Sequence, residues 1–184
     1  HSLGGGIALQ FAVYYPEMIK HLRLVASRGL SRKSFLSLRI LTLPFVGEIL
    51  FSLSLKKPEA LIGGLFYHHT PPPEGWVHTF SRIYEDPSAH RAFLQTLRNN
   101  ATLFNGTKKS ISDIVPFLHT ITARTLVIWG KQDRVIPFHI SKTPLQYIPH
   151  SELWAIDNCG HAPHLDYPRE FNKKVKAFLL DQGS

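Results

Sequence analysis

Apolar residues at the start of the chain recur at helical spacing. Ile7, Phe11 and Tyr14 fall on one side of a helix that follows a turn of small residues and ends before Pro16. Residues 21–26 then alternate and run apolar, which is typical of a buried parallel strand. The pattern predicts a turn, a helix and a strand in direct succession.

The C-terminal part of the chain repeats this alternation of strand and helix. Apolar runs over residues 125–129 and 152–156 each end in a polar loop, and residues 168–180 have helical spacing. The core face predicted for that helix consists of Phe171, Val175, Phe178 and Leu179. Alternating strands and helices predict an α/β fold with a parallel sheet.

The segment between the first and second predicted strands has no comparable strand pattern. Its clearest helix covers residues 87–99, with Asp86 as N-cap and Pro87 at the first helical position. The apolar stripe of this helix consists of Ala89, Phe93 and Leu97. Because a crossover needs only about a dozen residues, the length predicts an inserted helical cap. We expect core segments at residues 1–28 and 122–184 and the cap at residues 29–121.

Residues 35–55 are apolar over about the length of a membrane-spanning helix. Arg39, Pro44 and Glu48 interrupt the run. A charge near the centre of a span costs about 2.5 to 3.5 kcal/mol on insertion scales. We therefore predict two apolar helices broken at Pro44 and no transmembrane segment.

Composition and charge narrow the class of protein. The chain has 184 residues, is 43% hydrophobic and carries a formal net charge of +8. Its basic residues are scattered as singles and pairs without a nucleic-acid-binding motif, so we interpret them as solvated surface and expect no nucleic-acid partner. The single cysteine, Cys159, cannot form an intramolecular disulfide and fits a reducing compartment, which predicts a cytoplasmic protein.

No metal-binding spacing such as CxxC or HExxH occurs, so we expect neither a metal nor a cofactor. The chain begins with His1, and its only methionine is Met18. We interpret it as a fragment of a longer protein.

Three residues at predicted turns and strand ends suggest a serine nucleophile with its base and acid. Ser2 stands in a turn of small residues directly before a helix, and Asp133 and His161 each follow a predicted parallel strand. Loops at the carboxyl ends of parallel strands gather functional groups at one edge of a sheet. The sequence therefore predicts that these side chains meet.

The segments around these residues carry a resemblance to a known family. HSLGG resembles a G-x-S-x-G nucleophile elbow that lacks its first glycine. WGKQDRVIP and DNCGHAPHLDYP resemble the acid and histidine loops of cap-bearing α/β-hydrolases. With FSRIYEDPSAHRAFLQTL, they are most similar to uncharacterised bacterial, particularly actinobacterial, members. The resemblance implies a partial α/β-hydrolase fold with C-terminal parallel strands, flanking helices and the inserted cap.

The resemblance also implies a mechanism. Ser2 attacks an acyl carbonyl, His161 takes the serine proton as general base, and Asp133 orients and stabilises the imidazole. The backbone N–H of Leu3 is one oxyanion donor, and the family's second donor belongs to a loop upstream of His1.

Three nearby residues are alternatives. Asp157 ends a strand close to His161, but it is interpreted as ordering the loop, while Asp133 is preferred as the triad acid. His164 shares the histidine loop and is not expected to bind metal without further ligands. Cys159 is interpreted as a packing residue rather than a second nucleophile.

The nucleophile restricts the reaction. Related haloalkane dehalogenases and epoxide hydrolases use aspartate at the elbow, so Ser2 argues against both. The primary prediction is hydrolysis of a small or medium apolar ester by an acyl-enzyme mechanism. Alternatives are carbon–carbon bond hydrolysis, perhydrolase chemistry, or ligand binding without catalysis.

The family resemblance finally predicts how the chain behaves alone. It implies that the strand at residues 21–26 normally pairs with the strand leading into the elbow. Without that neighbour it forms a bare apolar edge, which favours aggregation. We expect the isolated chain to be inactive and either poorly soluble or partly molten.

Overall fold

The computed structural model describes residues 1–31, 36–67, 74–100 and 111–181. The chain forms two compact units. Unit 1 comprises His1–Ser31, Phe66–His68 and Ile111–Ser184. Unit 2 comprises Arg32–Leu65 and His69–Ser110.

Unit 1 contains a parallel sheet of three strands within the described residues. Its strands are β1 (His21–Val25), β2 (Arg124–Gly130) and β3 (Ser151–Ile156), in the order β1-β2-β3. All three lie within one residue of the strands predicted from the apolar runs, and both pairings are parallel. The predicted α/β class is confirmed. The carboxyl ends of the strands therefore lie at one edge of the sheet.

The central strand is buried on both faces because successive side chains of a strand point in opposite directions. Val127 and Trp129 belong to one apolar cluster, with Leu9 of α1 (Ser2–Tyr14). Leu126 and Ile128 belong to the cluster on the opposite face. This explains why the sequence of β2 reads as a continuous apolar run rather than as an alternating one.

Short helical segments connect the strands of unit 1. A 3₁₀ turn at Pro16–Met18 follows α1, and 3₁₀ segments occupy Ile111–Thr120 and Phe138–Ser141. The remaining helices are α7 (Lys142–Tyr147), α8 (Pro163–Asp166) and α9 (Pro168–Leu180). Each of α8 and α9 starts at a proline, which suits the first helical position because proline has no N–H group.

The predicted core face of α9 is correct except at its end. Phe178 is buried, and Phe171 and Val175 are partly buried against the same cluster. Leu179 is 42% exposed, so its assignment to the core was wrong. Apolar character alone does not distinguish Leu179 from Phe178, but successive residues of a helix point in different directions, and only Phe178 points toward the core.

The first helix turns its bulky side chains outward. Ile7, Phe11 and Tyr14 share one side of α1, as predicted, and that side is exposed. The side packed into the protein carries Gly5, Leu9 and Ala12. Small residues there allow the helix to approach β1 closely.

Unit 2 consists of helices in its described part. They are α2 (Leu36–Ile40), α3 (Val46–Leu55), α4 (Pro58–Gly63), α5 (Glu74–Glu85) and α6 (Pro87–Asn100). The predicted break at Pro44 lies between α2 and α3, where Phe45 has a positive φ of 65°. Within the described ranges, no helix combines the length and apolar character needed to cross a membrane.

Aromatic packing holds the helices of unit 2 together. The ring of Phe51 in α3 stacks on Phe93 of α6 at a centroid distance of 4.5 Å, and Tyr84 of α5 meets Phe51 edge-on at 5.4 Å. Asp86 caps α6 as predicted by accepting a hydrogen bond from the N–H of Ser88 at 2.8 Å. The most buried residue of α6 is Leu94, which lies beside the predicted stripe.

The boundaries of unit 2 differ from those of the predicted cap. The cap was expected at residues 29–121, whereas residues 111–121 belong to unit 1. Ile114, Leu118 and Ile121 are buried in the cluster that also contains Leu9 of α1. These residues were assigned to the cap because they show no strand pattern. Their apolar side chains in fact form part of the core of unit 1.

Candidate active site

Ser2 occupies a strained turn at the start of α1. Its φ angle is +51°, a left-handed conformation that non-glycine residues adopt rarely. Its carbonyl oxygen accepts a hydrogen bond from the N–H of Arg28 at 2.9 Å, which ties the turn to the segment after β1. Gly5 packs against Ser27, where a larger residue would not fit. These features match a serine presented on a sharp turn into a helix.

The loop after β2 holds the carboxylate of Asp133 through its Oδ1 atom. Oδ1 accepts hydrogen bonds from the N–H groups of Val135 and Ile136, at 2.7 and 2.9 Å. The Trp129 indole donates to the carbonyl oxygen of Ile136 at 3.0 Å and holds the loop against the end of its strand. Oδ2 is thereby oriented away from its own loop, toward the loop after β3.

His161 connects the other two predicted residues. Its Nδ1 atom lies 2.9 Å from Oδ2 of Asp133, and its Nε2 atom lies 3.1 Å from Oγ of Ser2. The side chains of His161 and Asp133 are 3% and 0% exposed. With Asp133 accepting, Nδ1 carries the proton, which leaves Nε2 to accept the hydroxyl proton of Ser2. The structure brings all three sequence-predicted residues together.

The loops that carry the acid and the histidine are joined to each other. The N–H of Gln132 donates to the Cys159 carbonyl at 3.0 Å, and the Gln132 side-chain oxygen accepts from the Cys159 N–H at 3.1 Å. Gly130 lies so close to the carbonyls of Cys159 and Gly160 that a Cβ atom there would overlap both. The spacing between Asp133 and His161 depends on these contacts.

The contacts that His1 and Asp166 make with the backbone at His161 and Gly160 were not predicted from the sequence. The ring of His1 has Nε2 at 2.8 Å from the His161 carbonyl oxygen. The Asp166 carboxylate accepts a hydrogen bond from the Gly160 N–H at 2.7 Å. Asp166 lies in the segment DNCGHAPHLDYP that resembles the family's histidine loop, but that resemblance does not reveal the hydrogen bond.

Leu3 is the second residue of α1, directly after Ser2. The first N–H groups of a helix have no partner within the helix, and the positive end of the helix dipole lies there. Its predicted role as an oxyanion donor is compatible with this position and stays a prediction.

Asp157 pairs with Lys131 and not with a residue of the predicted triad. It forms an ion pair with Lys131 at 2.9 Å, and its side chain is 69% exposed. The pair lies at the surface, and Asp133 rather than Asp157 is the carboxylate that contacts His161.

His164 and Cys159 pack against other residues and are not placed for a catalytic role. The His164 ring lies against the rings of His1 and Phe171, at centroid distances of 4.9 and 5.8 Å. Burial lowers the pKa of His164. Cys159 is fully buried, and burial followed by the charge of Asp166 raises the pKa of its thiol. A thiol in that state is a poor nucleophile.

Together, the parallel sheet and the serine, histidine and aspartate at its edge define an α/β protein with a triad-like site. The family model described as the alpha/beta hydrolase fold matches residues 1–168, and the chain belongs to that family. The resemblance seen in the loop motifs is therefore confirmed.

The relatives of this chain include both uncharacterised proteins and enzymes. An uncharacterized protein of Mycobacterium tuberculosis is 30% identical over 187 residues, covering 97% of this chain and 54% of the relative. The 2-hydroxymuconate semialdehyde hydrolase of Pseudomonas putida is 27% identical over 196 residues, covering 98% of this chain and 61% of the relative. The chain thus spans little more than half the length of these relatives.

A solved structure shares the fold. The meta-cleavage product hydrolase of Pseudomonas fluorescens IP01 superposes with a TM-score of 0.75 at 18% identity, covering 100% of this chain and 64% of that one. At this identity, the comparison concerns the fold alone.

Proposed function

We propose that the protein is a serine hydrolase that cleaves its substrate through an acyl-enzyme on Ser2. The observation that carries this proposal is the hydrogen-bonded series from Ser2 Oγ to His161 Nε2, at 3.1 Å, and from His161 Nδ1 to Asp133 Oδ2, at 2.9 Å. Nucleophile, base and orienting acid at hydrogen-bond distance are the signature of covalent catalysis.

The proposed reaction has two steps. His161 accepts the proton of Ser2 while Oγ attacks an acyl carbonyl, and the imidazolium then protonates the leaving group as its bond to the carbonyl breaks. Water, activated by His161, next hydrolyses the acyl-enzyme and releases the acid. Asp133 keeps the imidazole in the productive tautomer throughout and stabilises its charged form.

We propose a small or medium apolar ester as the substrate. Unit 2, taken by itself, supports an apolar ligand because one face of α3 exposes large apolar side chains. Ile49, Leu50 and Leu53 are 61%, 41% and 51% exposed. Exposed apolar groups in such a cluster are typical of surfaces that contact apolar molecules.

The test compares the full-length protein that contains this chain with its Ser2→Ala variant on p-nitrophenyl esters of increasing acyl chain length. We expect turnover that depends on Ser2 and falls to background in the variant. A fluorophosphonate probe should label Ser2 in the same samples, as located by peptide mass spectrometry, and a His161→Gln variant should lose labelling. Equal turnover in the protein and in Ser2→Ala would refute the proposal.

Carbon–carbon bond hydrolysis is the second candidate. It is favoured by the relative whose name is 2-hydroxymuconate semialdehyde hydrolase. The same enzyme samples assayed with 2-hydroxymuconate semialdehyde distinguish the two reactions. Ser2-dependent consumption of this compound with little ester turnover would replace the ester proposal. Tight binding without turnover of either substrate would instead indicate a ligand-binding protein.

A further inference from the structure

The loop that carries His161 has an unusual backbone. Asn158 adopts a positive φ of 54°, and Cys159, Gly160 and His161 follow as buried residues. A turn of this kind is not maintained by a regular hydrogen-bond ladder, so its shape depends on individual contacts. The position of the imidazole depends on the residue immediately before it, Gly160, whose N–H belongs to the Cys159–Gly160 peptide group.

Asp166 holds that peptide group. It is the last residue of α8, and one of its carboxylate oxygens, Oδ2, lies 2.7 Å from the N–H of Gly160. This is shorter than the 3.1 Å bond by which Gln132 holds Cys159. Hydrogen bonds to carboxylates are shorter and about twice as strong as neutral ones.

The same carboxylate has a second backbone partner. The N–H of Tyr67 lies 3.3 Å from both Oδ1 and Oδ2 of Asp166. Tyr67 belongs to the short segment Phe66–His68 of unit 1, which lies in the sequence between the two stretches of unit 2. Asp166 therefore joins the histidine loop to the segment that separates those stretches.

We propose that Asp166 is a positioning residue that holds the Cys159–Gly160 peptide so that His161 stays within hydrogen-bond distance of both Ser2 and Asp133. Through Tyr67, it links the position of His161 to the segment Phe66–His68. The inference rests on the proposed function, because it concerns the geometry of the same triad. Asp166 does not contact Ser2 or the reacting atoms and acts only through the loop.

A small displacement is sufficient for a large effect. Misplacement of a catalytic group by about 1 Å can cost on the order of 100-fold in rate. Loss of the Asp166 carboxylate frees the Gly160 N–H from its partner while leaving Ser2, Asp133 and His161 in the protein. We therefore expect the rate of the chemical step to fall while substrate affinity is kept.

The first experiment compares the variants Asp166→Ala and Asp166→Asn. Alanine removes both acceptors, whereas asparagine retains an oxygen for Gly160. Asp166→Ala should lower kcat by roughly 10- to 100-fold with KM changed less than about threefold, and Asp166→Asn should recover most of the loss. Asp157→Asn is the matched control, because it alters a neighbouring carboxylate that pairs with Lys131 at the surface.

The role of Asp166 can be tested by NMR without measuring turnover, so its test does not depend on the proposed function. The His161 Nδ1 proton shared with Asp133 should give a downfield ¹H NMR signal, and its loss in Asp133→Asn would assign it. We expect the signal to broaden or shift in Asp166→Ala but not in Asp157→Asn. An unchanged signal and unchanged kcat in a folded Asp166→Ala protein would overturn the proposal. If the wild type shows no Ser2-dependent turnover, the proposed function fails and the NMR signal alone decides the role of Asp166.

The Tyr67 bond is tested by removing only its N–H. Tyr67→Pro deletes the donor, and Tyr67→Ala controls for the lost side chain while keeping the N–H. Tyr67→Pro should lower kcat severalfold below Tyr67→Ala and move the His161 NMR signal. If both variants have the same kcat and the same signal, the link to the segment Phe66–His68 is refuted. If Asp166→Ala does not fold, the Tyr67 pair decides the outcome.

Discussion

His161 and Asp133 are 28 residues apart in the sequence, yet His161 Nδ1 lies 2.9 Å from Asp133 Oδ2. Both side chains are almost completely buried. The other oxygen of Asp133 is occupied by two backbone N–H groups, so the carboxylate cannot rotate without losing bonds. The histidine is therefore held in one orientation and one tautomer.

Asp133→Asn tests this orientation. The asparagine amide can donate toward Nδ1, which favours the tautomer with the proton on Nε2, so His161 loses its ability to accept the Ser2 proton. We expect kcat to fall by about 10³- to 10⁴-fold on whichever substrate is turned over.

Asp157→Asn is the matched control for Asp133→Asn. Its carboxylate is exposed and pairs with Lys131 rather than with His161. Surface ion pairs contribute about 0 to 1 kcal/mol to stability, so we expect kcat to be unchanged within a factor of about two. Similar losses in the two variants would show that Asp133 is not the orienting acid.

Gly130→Ala tests the contact between the acid and histidine loops. The added Cβ would overlap the backbone carbonyls of Cys159 and Gly160, which cannot rotate away as a side chain can. Overpacking of this kind typically costs about 1 to 3 kcal/mol, and we expect the upper end of that range together with a loss of activity. Urea denaturation followed by tryptophan fluorescence measures the stability change.

Gly63→Ala is the control for that measurement. No heavy atom lies within 4 Å of a Cβ at Gly63, which is a helical residue of α4. Alanine is favoured over glycine in helices by up to about 1 kcal/mol, so the variant should be as stable as the wild type or slightly more stable. If Gly130→Ala behaves like Gly63→Ala, the close approach of the loops is not a constraint.

Gly5→Ala tests the packing of α1 below the serine. A Cβ at Gly5 would lie 2.8 Å from the Cβ of Ser27. We expect the free energy of unfolding to fall by about 1 to 3 kcal/mol, whereas Gly4→Ala, with open space around its Cβ, should cause no loss. Adding Ser27→Gly to Gly5→Ala removes the overlapping side chain. The double-mutant cycle should then show a favourable coupling, and strict additivity would contradict the proposed contact.

The pH dependence of stability should contain a contribution from His164. Burial lowers the pKa of His164 in the folded protein below its ordinary value of 6.5. The unfolded chain therefore binds a proton more readily, and stability rises with pH between the two pKa values and is fully present above about 6.5. Urea denaturation between about pH 5 and 7.5 should show a smaller loss of stability on acidification in His164→Gln than in the wild type.

His78→Gln controls for the removal of a histidine as such. His78 is exposed in α5 of unit 2, away from the histidine loop in the sequence. We expect this variant to keep the pH profile of the wild type. A His164→Gln profile that also coincides with the wild type would contradict a lowered pKa at His164.

The predicted elements were found because their local patterns agree with their surroundings. The runs that became β2 and β3 are apolar since parallel strands are buried, and Pro87 and Pro168 mark helix starts for a local steric reason. Local patterns were less informative where burial is decided by distant neighbours. Leu179 was placed in the core and is exposed, and Leu118 was placed in the cap and is fully buried in unit 1.

The sequence by itself determined the class of fold and identified Ser2, Asp133 and His161 as the candidate nucleophile, acid and base. A turn of small residues and a polar residue at a strand end are both local signals. Because parallel strands run in the same direction, their carboxyl ends lie at one edge of the sheet, so residues at these positions are expected to meet. The tertiary structure alone decided the partners that set the geometry. The bonds from Gly160 to Asp166 and from His161 to His1 join backbone groups to distant or irregular segments. A carbonyl or an N–H group is present at every non-proline residue, so no sequence pattern indicates which of them a given side chain binds.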